Sequence, residues 1–199
     1  MKRALVTVAV LCWIGAACGS RDAGDPAWRA ALERDRAGKD ALFRTDRSPL
    51  TPAQRQSFAG LVYFAPDPSW NVRATFEPAA APDTIRFVTS TGSFDVYLRA
   101  GRARFQHRGR DLALTVYRSA ESDSYFLPFS DTTSGESTYG AGRYLDPGVP
   151  AVGGFDLDFN RTYNPYCAYN SGWVCPVAPA ENHLDVAVRA GEKNFGHEH

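Results

Sequence analysis

Residues 94–116 read FDVYLRAGRARFQHRGRDLALTV, and their period of two decides the fold. Phe94, Val96 and Leu98 make one alternating run, Ala103, Phe105 and His107 a second, and Leu112, Leu114 and Val116 a third. Arg108-Gly109 punctuates the last two. Alternation over short runs joined by Gly-containing turns is the mark of half-buried antiparallel strands. Working upstream, Thr91-Gly92 separates Phe94 from Ile85, Phe87 and Thr89, and before those Val72, Ala74 and Phe76 alternate with Arg73, Thr75 and Glu77. Working downstream, Tyr125 to Phe129, Phe155-Leu157-Phe159 and Leu184-Val186-Val188 add three later strands. The expectation is a mainly β chain, an antiparallel barrel, roll or sandwich of about seven to nine strands. Asp25-Pro26 is a helix start, with Asp as N-cap and Pro at the first helical position. Trp28, Ala31, Leu32, Leu42 and Phe43 put apolar residues on one side of a helix running to about Arg44, with polar ERDRAGKD between them. This N-terminal helix should lie across a surface and cover an open end or edge of the sheet.

Composition agrees. The chain has 199 residues, 44% hydrophobic and 22% charged, which excludes a disordered or collagen-like polymer and predicts one main domain. Basic and acidic side chains both number 22, so a dedicated nucleic-acid binder, which needs a strongly basic domain, is not expected. Aromatics at 13% and 13 prolines against one methionine favour strands and structured loops over a helical bundle.

The first 25 residues carry an address. Met1-Lys2-Arg3 is a basic start, and Ala4 to Ala17 runs without a charge, too short to span a membrane but fitting a secretory signal. Gly15-Ala16-Ala17 precedes Cys18, which resembles a bacterial lipoprotein signal whose cysteine becomes the lipidated N-terminus. The expected organisation is a signal peptide over 1–17, a short tether over 18–25 and a β-rich domain over 26–199. Membrane contact then comes through the lipid anchor, on the periplasmic or extracellular side of the envelope. Removing residues 1–17 leaves Cys167 and Cys175 beside the lipidated Cys18. An even pair in an oxidising compartment predicts a disulfide, and no Cys-x-x-Cys or flanking histidine suggests a metal instead.

The stretches FLPFSDTTSGESTYGAGRYLD (126–146), FDLDFNRTYNPYCAYN (155–170) and CPVAPAEN (175–182) resemble the bacterial and archaeal domain of unknown function 1684 family. FRTDRSPL and FAGLVYFAPDPSW, earlier in the chain, resemble it too. The resemblance implies a β-rich domain with these segments as its signature, and it names no activity. Read as chemistry, a strand over 155–160 sends Asp156, Asp158 and Asn160 to one face and Phe155, Leu157 and Phe159 to the other, with the two carboxylates about 6.5–7 Å apart. Arg143, Tyr144, Arg161, Tyr163, Asn164, Glu181 and Asn182 belong to the same segments, and Glu136 sits in the glycine-rich stretch 130–154. Arg143, Tyr144, Asp156, Asp158, Asn160 and Asn164 are expected to converge on one pocket or surface, with Arg143 or Arg161 between the carboxylates.

Three function classes remain open: binding of a small ligand or envelope component, a hydrolase using Asp156, Asp158 or Glu136 with Tyr144 or Tyr163, and a structural envelope protein. No cofactor or metal is expected. Gly140-Ala141-Gly142 lacks a dinucleotide fingerprint's third glycine, and no G-x-S-x-G or H-E-x-x-H is present. His197-Glu198-His199 reads as a frayed tail, and Arg102, Arg104, Arg108 and Arg110 as a basic, solvated hairpin face.

Overall fold

The Asp25 side chain accepts a hydrogen bond from the Ala27 N–H at 2.9 Å, and helix α1 runs from there over Pro26–Phe43. The computed structural model describes residues 25–119 and 124–196. The expected signal, lipidated Cys18, the tether up to residue 24 and the His197–His199 tail lie outside the described residues. Helix α1 buries only Leu32 and Phe43. The rest of its hold is polar: Trp28 Nε1 donates to Asp158 at 2.8 Å, and Asp40 accepts from the Leu61 N–H at 3.0 Å. It lies across a surface, as its mixed sequence predicts. A second, short helix, α2 (Pro52–Gln56), is closed by a capping box between Thr51 and Gln54. Among the described residues no helix is long and apolar enough to cross a membrane.

The rest is β structure. The strands are β1 (Asn71–Val88), β2 (Phe94–His107), β3 (Arg110–Ser119), β4 (Tyr125–Asp131), β5 (Arg143–Leu145), β6 (Gly154–Asp158) and β7 (His183–Leu184). Their order across the sheet is β5-β4-β3-β2-β1-β6, all neighbours antiparallel, and β7 adds to β4 in parallel. The sheet curls into an open half-barrel. Its concave face is filled by Trp70, Phe105, Leu114, Leu127, Phe129, Phe155, Leu157 and Phe159, each under 5% exposed. Side chains of this kind contribute about 1.5–3 kcal/mol apiece on full burial. Exposed ion pairs contribute about 0–1 kcal/mol, so the core and not the charged outer face holds the sheet. His107 belongs to that core, stacked on Trp70 at 3.6 Å between ring centroids. Burial holds its pKa below the usual histidine value.

Three segments differ from the expectation. The runs at 72–77 and 85–89 are one strand, β1, whose register against β2 shifts between Pro78 and Asp83. Those at 94–98 and 103–107 are likewise one strand, with a bulge at Gly101, where a Cβ would lie 2.3 Å from the Glu77 carbonyl oxygen. The pleat loses phase at each irregularity while the ladder continues, so the side-chain pattern reads as a break. The expected strand Leu184–Val188 pairs as a ladder only over His183–Leu184; beyond it the Val186 carbonyl takes the Thr132 N–H at 3.3 Å and side chains hold the chain from Val188 on. The glycine-rich stretch 130–154 is itself ordered: Asp131 Oδ1 receives both the N–H and the hydroxyl of Thr133, at 2.8 and 2.6 Å, and β5 follows.

Candidate functional site

Strand β6 alternates as its sequence predicts. Phe155 and Leu157 enter the core, while Asp156 is exposed and pairs with Arg73 at 3.2 Å. Asp158 ends the strand and caps a 3-10 turn, Phe159–Arg161, accepting from the Asn160 N–H at 3.1 Å. It also takes Trp28 Nε1 at 2.8 Å, Asn160 Nδ2 at 2.9 Å and Arg161 Nε at 3.3 Å. Asn160 is therefore on the turn and not on the strand. Its side chain brackets Asp67, receiving that residue's N–H and donating to its carbonyl, both at 2.8 Å. Each carboxylate has its own arginine.

Neither is Arg143, and this corrects the expected cluster. Arg143 is 1% exposed, and its Nη2 pairs with Asp131 at 2.9 Å and donates to the Val188 carbonyl at 2.8 Å. Its Nη1 reaches the carbonyls of Ala190 at 2.5 Å and Glu192 at 3.2 Å, and the Thr162 hydroxyl at 3.3 Å. The guanidinium does for residues 188–192 what a neighbouring strand would otherwise do. The other candidates divide in the same way. The Tyr144 hydroxyl donates to the Pro176 carbonyl, and its backbone bridges Tyr163, whose hydroxyl donates to Asp146 at 2.9 Å. Glu181 receives the Tyr117 hydroxyl and Arg99 Nη2, the latter at 3.0 Å. Asn182, fully buried, accepts from the Thr115 N–H and donates to the Thr115 and Pro128 carbonyls, each at 2.8 Å. Glu136 is exposed on a turn. On the basic hairpin, Arg104 pairs with Glu77 at 2.8 Å and Arg108 with Asp67 at 3.3 Å.

Cys167 and Cys175 lie side by side as free thiols, the Cys167 N–H donating to the Cys175 sulfur at 3.2 Å. Burial pushes the Cys175 thiol up to about 11. Among the described residues no group of three His, Cys, Asp or Glu side chains could hold a metal ion.

A concave feature lies between α1 and the Phe159–Arg161 turn. It is a cleft of about 180 Å³ lined by Leu32, Asp35, Arg36 and Lys39 of the helix, Tyr63, Asn160 to Tyr163, and Glu192. Leu32, Asp35, Arg36 and Lys39 fall at i, i+3, i+4 and i+7, the spacing of one helix face. Tyr63 and Glu192 stand opposite each other in an isolated antiparallel bridge, flanked by Phe64 N–H to Gly191 carbonyl (2.9 Å) and Lys193 N–H to Val62 carbonyl (2.8 Å). The Glu192 side chain is 1% exposed and takes Lys39 Nζ at 2.7 Å. It also receives the Asn164 N–H and Nδ2, both at 3.3 Å, and the Tyr169 hydroxyl. Lys39 Nζ lies 5.1 Å from the Tyr163 ring centre and 5.4 Å from that of Phe43. Arg161 pairs with Asp35 across the cleft.

Arg36 lies over the Tyr63 ring at 4.4 Å. The Tyr63 hydroxyl and Arg36 Nε are both buried without a hydrogen-bond partner among the described residues. Burial, with Glu192 next, drives the Tyr63 hydroxyl well above the usual tyrosine pKa, so it stays a neutral O–H. Of the residues singled out from sequence, Asn160, Arg161 and Tyr163 line the cleft directly. Asn164 and Arg143 stand behind its wall through Glu192 and Thr162, and Asp158 behind Arg161. Asp35, Arg36, Lys39, Tyr63 and Glu192 were not singled out. The helical spacing was a usable signal for the first three.

A family model described as a protein of unknown function, DUF1684, matches residues 56–193. The solution NMR structure of an uncharacterized protein of Haloarcula marismortui is similar, with a TM-score of 0.66 and 36% identity over 86% of this chain and 97% of that one. No curated protein matches.

Proposed function

We propose that this chain, which belongs to the DUF1684 family, binds a small ligand in the α1 cleft and does so at the cell envelope, anchored through a lipidated Cys18. The observation that carries the binding reading is the buried, unpartnered hydroxyl of Tyr63 in the wall of a concave, mixed polar and aromatic cleft. Buried polar groups without partners are rare in native proteins and cost about 1–3 kcal/mol each. A ligand acceptor would recover that cost. A cavity of about 150 Å³ takes a benzene-sized guest, so a cleft of 180 Å³ suits a ligand of roughly six to nine non-hydrogen atoms. The polar residues of the signature segments support this reading as scaffolding: Arg143, Asn164 and Asp158 fix Thr162, Glu192 and Arg161, which line the cleft. The hydrolase residues do not support catalysis, since Asp156 holds Arg73, Asp158 takes four donors and the Tyr144 hydroxyl is bound to a carbonyl.

The basic start, the charge-free run Ala4–Ala17 and Gly15-Ala16-Ala17-Cys18 support export and anchoring. The tether to Asp25 spans at most about 25 Å, which keeps the cleft close to its membrane. An exported chain meets an oxidising compartment, and the adjacent Cys167 and Cys175 then close a disulfide.

Two experiments test the proposal. Cys18→Ser moves the protein from the membrane fraction to the soluble one; a wild-type protein already soluble refutes the anchor. A fragment titration of the ¹⁵N-labelled full chain in detergent, with neutral, anionic and cationic compounds of the stated size, shifts amide signals at 32–39, 63 and 160–163 saturably for one class. If no class does so, the ligand reading is wrong.

A further inference from the structure

We infer that the cleft selects a small monocarboxylate, held by Arg36 and the Tyr63 hydroxyl. This rests on the cleft being a ligand site and names the ligand's chemistry. The cleft carries three cations, Arg36, Lys39 and Arg161, against two carboxylates, Asp35 and Glu192. Lys39 is matched by Glu192 at 2.7 Å. Arg161 is matched by Asp35 and, at 3.3 Å, by Asp158. Arg36 has no carboxylate within ion-pair distance among the described residues. Its terminal nitrogens donate to backbone carbonyls instead, Nη1 to Phe64 at 3.2 Å and Nη2 to Asn160 at 3.4 Å.

Carbonyls satisfy N–H groups but do not neutralise a charge. Asp158 and Glu33 act on the Arg36 guanidinium only from longer range, and desolvation is the larger effect, lowering its pKa. The cleft is thus left with a guanidinium that no carboxylate touches among the described residues and two buried donors, Arg36 Nε–H and Tyr63 O–H, on side chains stacked at 4.4 Å. A carboxylate brings one negative charge and two acceptor oxygens in a plane, which is the complement of that set. A phosphate dianion overshoots it, since the second charge would face Asp35 and Glu192. Both donor atoms are covered, so the ligand reaches them as the guanidinium lifts from the Tyr63 ring. That step gives up the cation–π contact and loosens the bonds to the Phe64 and Asn160 carbonyls, and charge-assisted bonds to the two carboxylate oxygens replace them. Leu32 and the Tyr63 and Tyr163 rings offer the apolar body of the ligand a surface.

The test titrates the full chain in detergent with benzoate, benzyl alcohol, benzylamine and inorganic phosphate, reading the same amide signals. Benzoate binds saturably and at least about tenfold tighter than the other three. Arg36→Gln reduces benzoate to the level of benzyl alcohol, and Arg36→Lys, which keeps the charge on a folded control, retains part of the preference. Tyr63→Phe weakens benzoate several-fold without lowering the Tm, because the hydroxyl it removes has no partner among the described residues. If benzyl alcohol, benzylamine or phosphate binds there as tightly as benzoate, the carboxylate inference falls while the cleft stands as a ligand site. If Arg36→Gln binds benzoate like wild type, it falls as well. If no probe binds, it falls together with the ligand reading.

Discussion

Arg143→Met keeps an unbranched apolar stem in place and removes the guanidinium from a site where both partners, Arg143 and Asp131, are 1% exposed. Losing one member of a buried ion pair costs about 3–5 kcal/mol, because the other charge is stranded. The same substitution orphans the carbonyls of Val188 and Glu192 and leaves that of Ala190 only the Thr162 hydroxyl at 3.3 Å. These recover water if residues 188–192 peel away, so their penalties replace one another and do not add. The expected loss is therefore about 4–5 kcal/mol, a large part of the roughly 5–15 kcal/mol that holds a domain together. At about 2–4 °C per kcal/mol for a chain of this size, the Tm falls by roughly 10–15 °C. Urea and thermal unfolding followed by tryptophan fluorescence measure it. The double variant Asp131→Leu/Arg143→Met removes the stranded charge but not the orphaned carbonyls, so it recovers only part of the loss. A single variant that loses less than about 1 kcal/mol refutes the clamp. So does a double variant that regains wild-type stability, because the carbonyls would then be doing nothing.

Gly154→Ala places a Cβ 1.8 Å from the Ala74 carbonyl oxygen at a φ of +147°, so β6 must leave β1. It destabilises by about 2–5 kcal/mol and speeds amide exchange over 71–75, and an unchanged Tm would contradict it. In protein purified from the oxidising compartment, thiol titration after unfolding without reductant finds neither Cys167 nor Cys175, and the bridge is worth about 2–3 kcal/mol; two reactive thiols overturn it. In the reduced protein Cys175 titrates near 11 in place of about 9, and Tyr139 near 12 in place of 10. Raised folded-state values mean that both contributions are full below about pH 9 and 10 and are lost as pH climbs through 11 and 12. Alkaline melts of reduced protein decline across that window, and oxidised protein lacks the cysteine part. Identical curves would count against the assignment.

The helix start at Asp25-Pro26, the period of two and the inward face of Phe155 and Leu157 were all legible, because each is set by neighbours in sequence. The partner of Arg143 was not. It is fixed by β5, three residues long and preceded by a glycine-rich turn that hides it. Once β5 pairs Arg143 with Phe129, Asp131 becomes the diagonal neighbour two residues on, and the ion pair follows. Asp156 and Asp158, closer in chain pattern to a paired acid face, were separated by a strand end that alternation alone does not mark. The cleft was illegible for a different reason. Tyr63 and Glu192 come from irregular segments joined by a single bridge, and such long-range pairing leaves no periodic trace. Helix α1 did leave one, in Leu32, Asp35, Arg36 and Lys39, but its polar middle reads equally as a solvated face.

Strand β1 pairs with β2 along most of its length, yet its other edge is completed only when Asn71 to Thr75 meet Gly154 to Asp158. A chain emerging from its N-terminus forms the local β1–β2 and β2–β3 hairpins early, and these contacts are fast because little loop entropy stands in the way. The edge facing β6 must wait until nearly the whole sheet has emerged. During that wait it is a row of unpaired backbone groups open to another chain. Further along β1, Pro78 and Pro82 each lack a backbone donor, and Glu77 and Asp83 add charge beside them. The irregular, proline-bearing middle of β1 therefore matters most before the native state exists, as a guard on a half-built sheet.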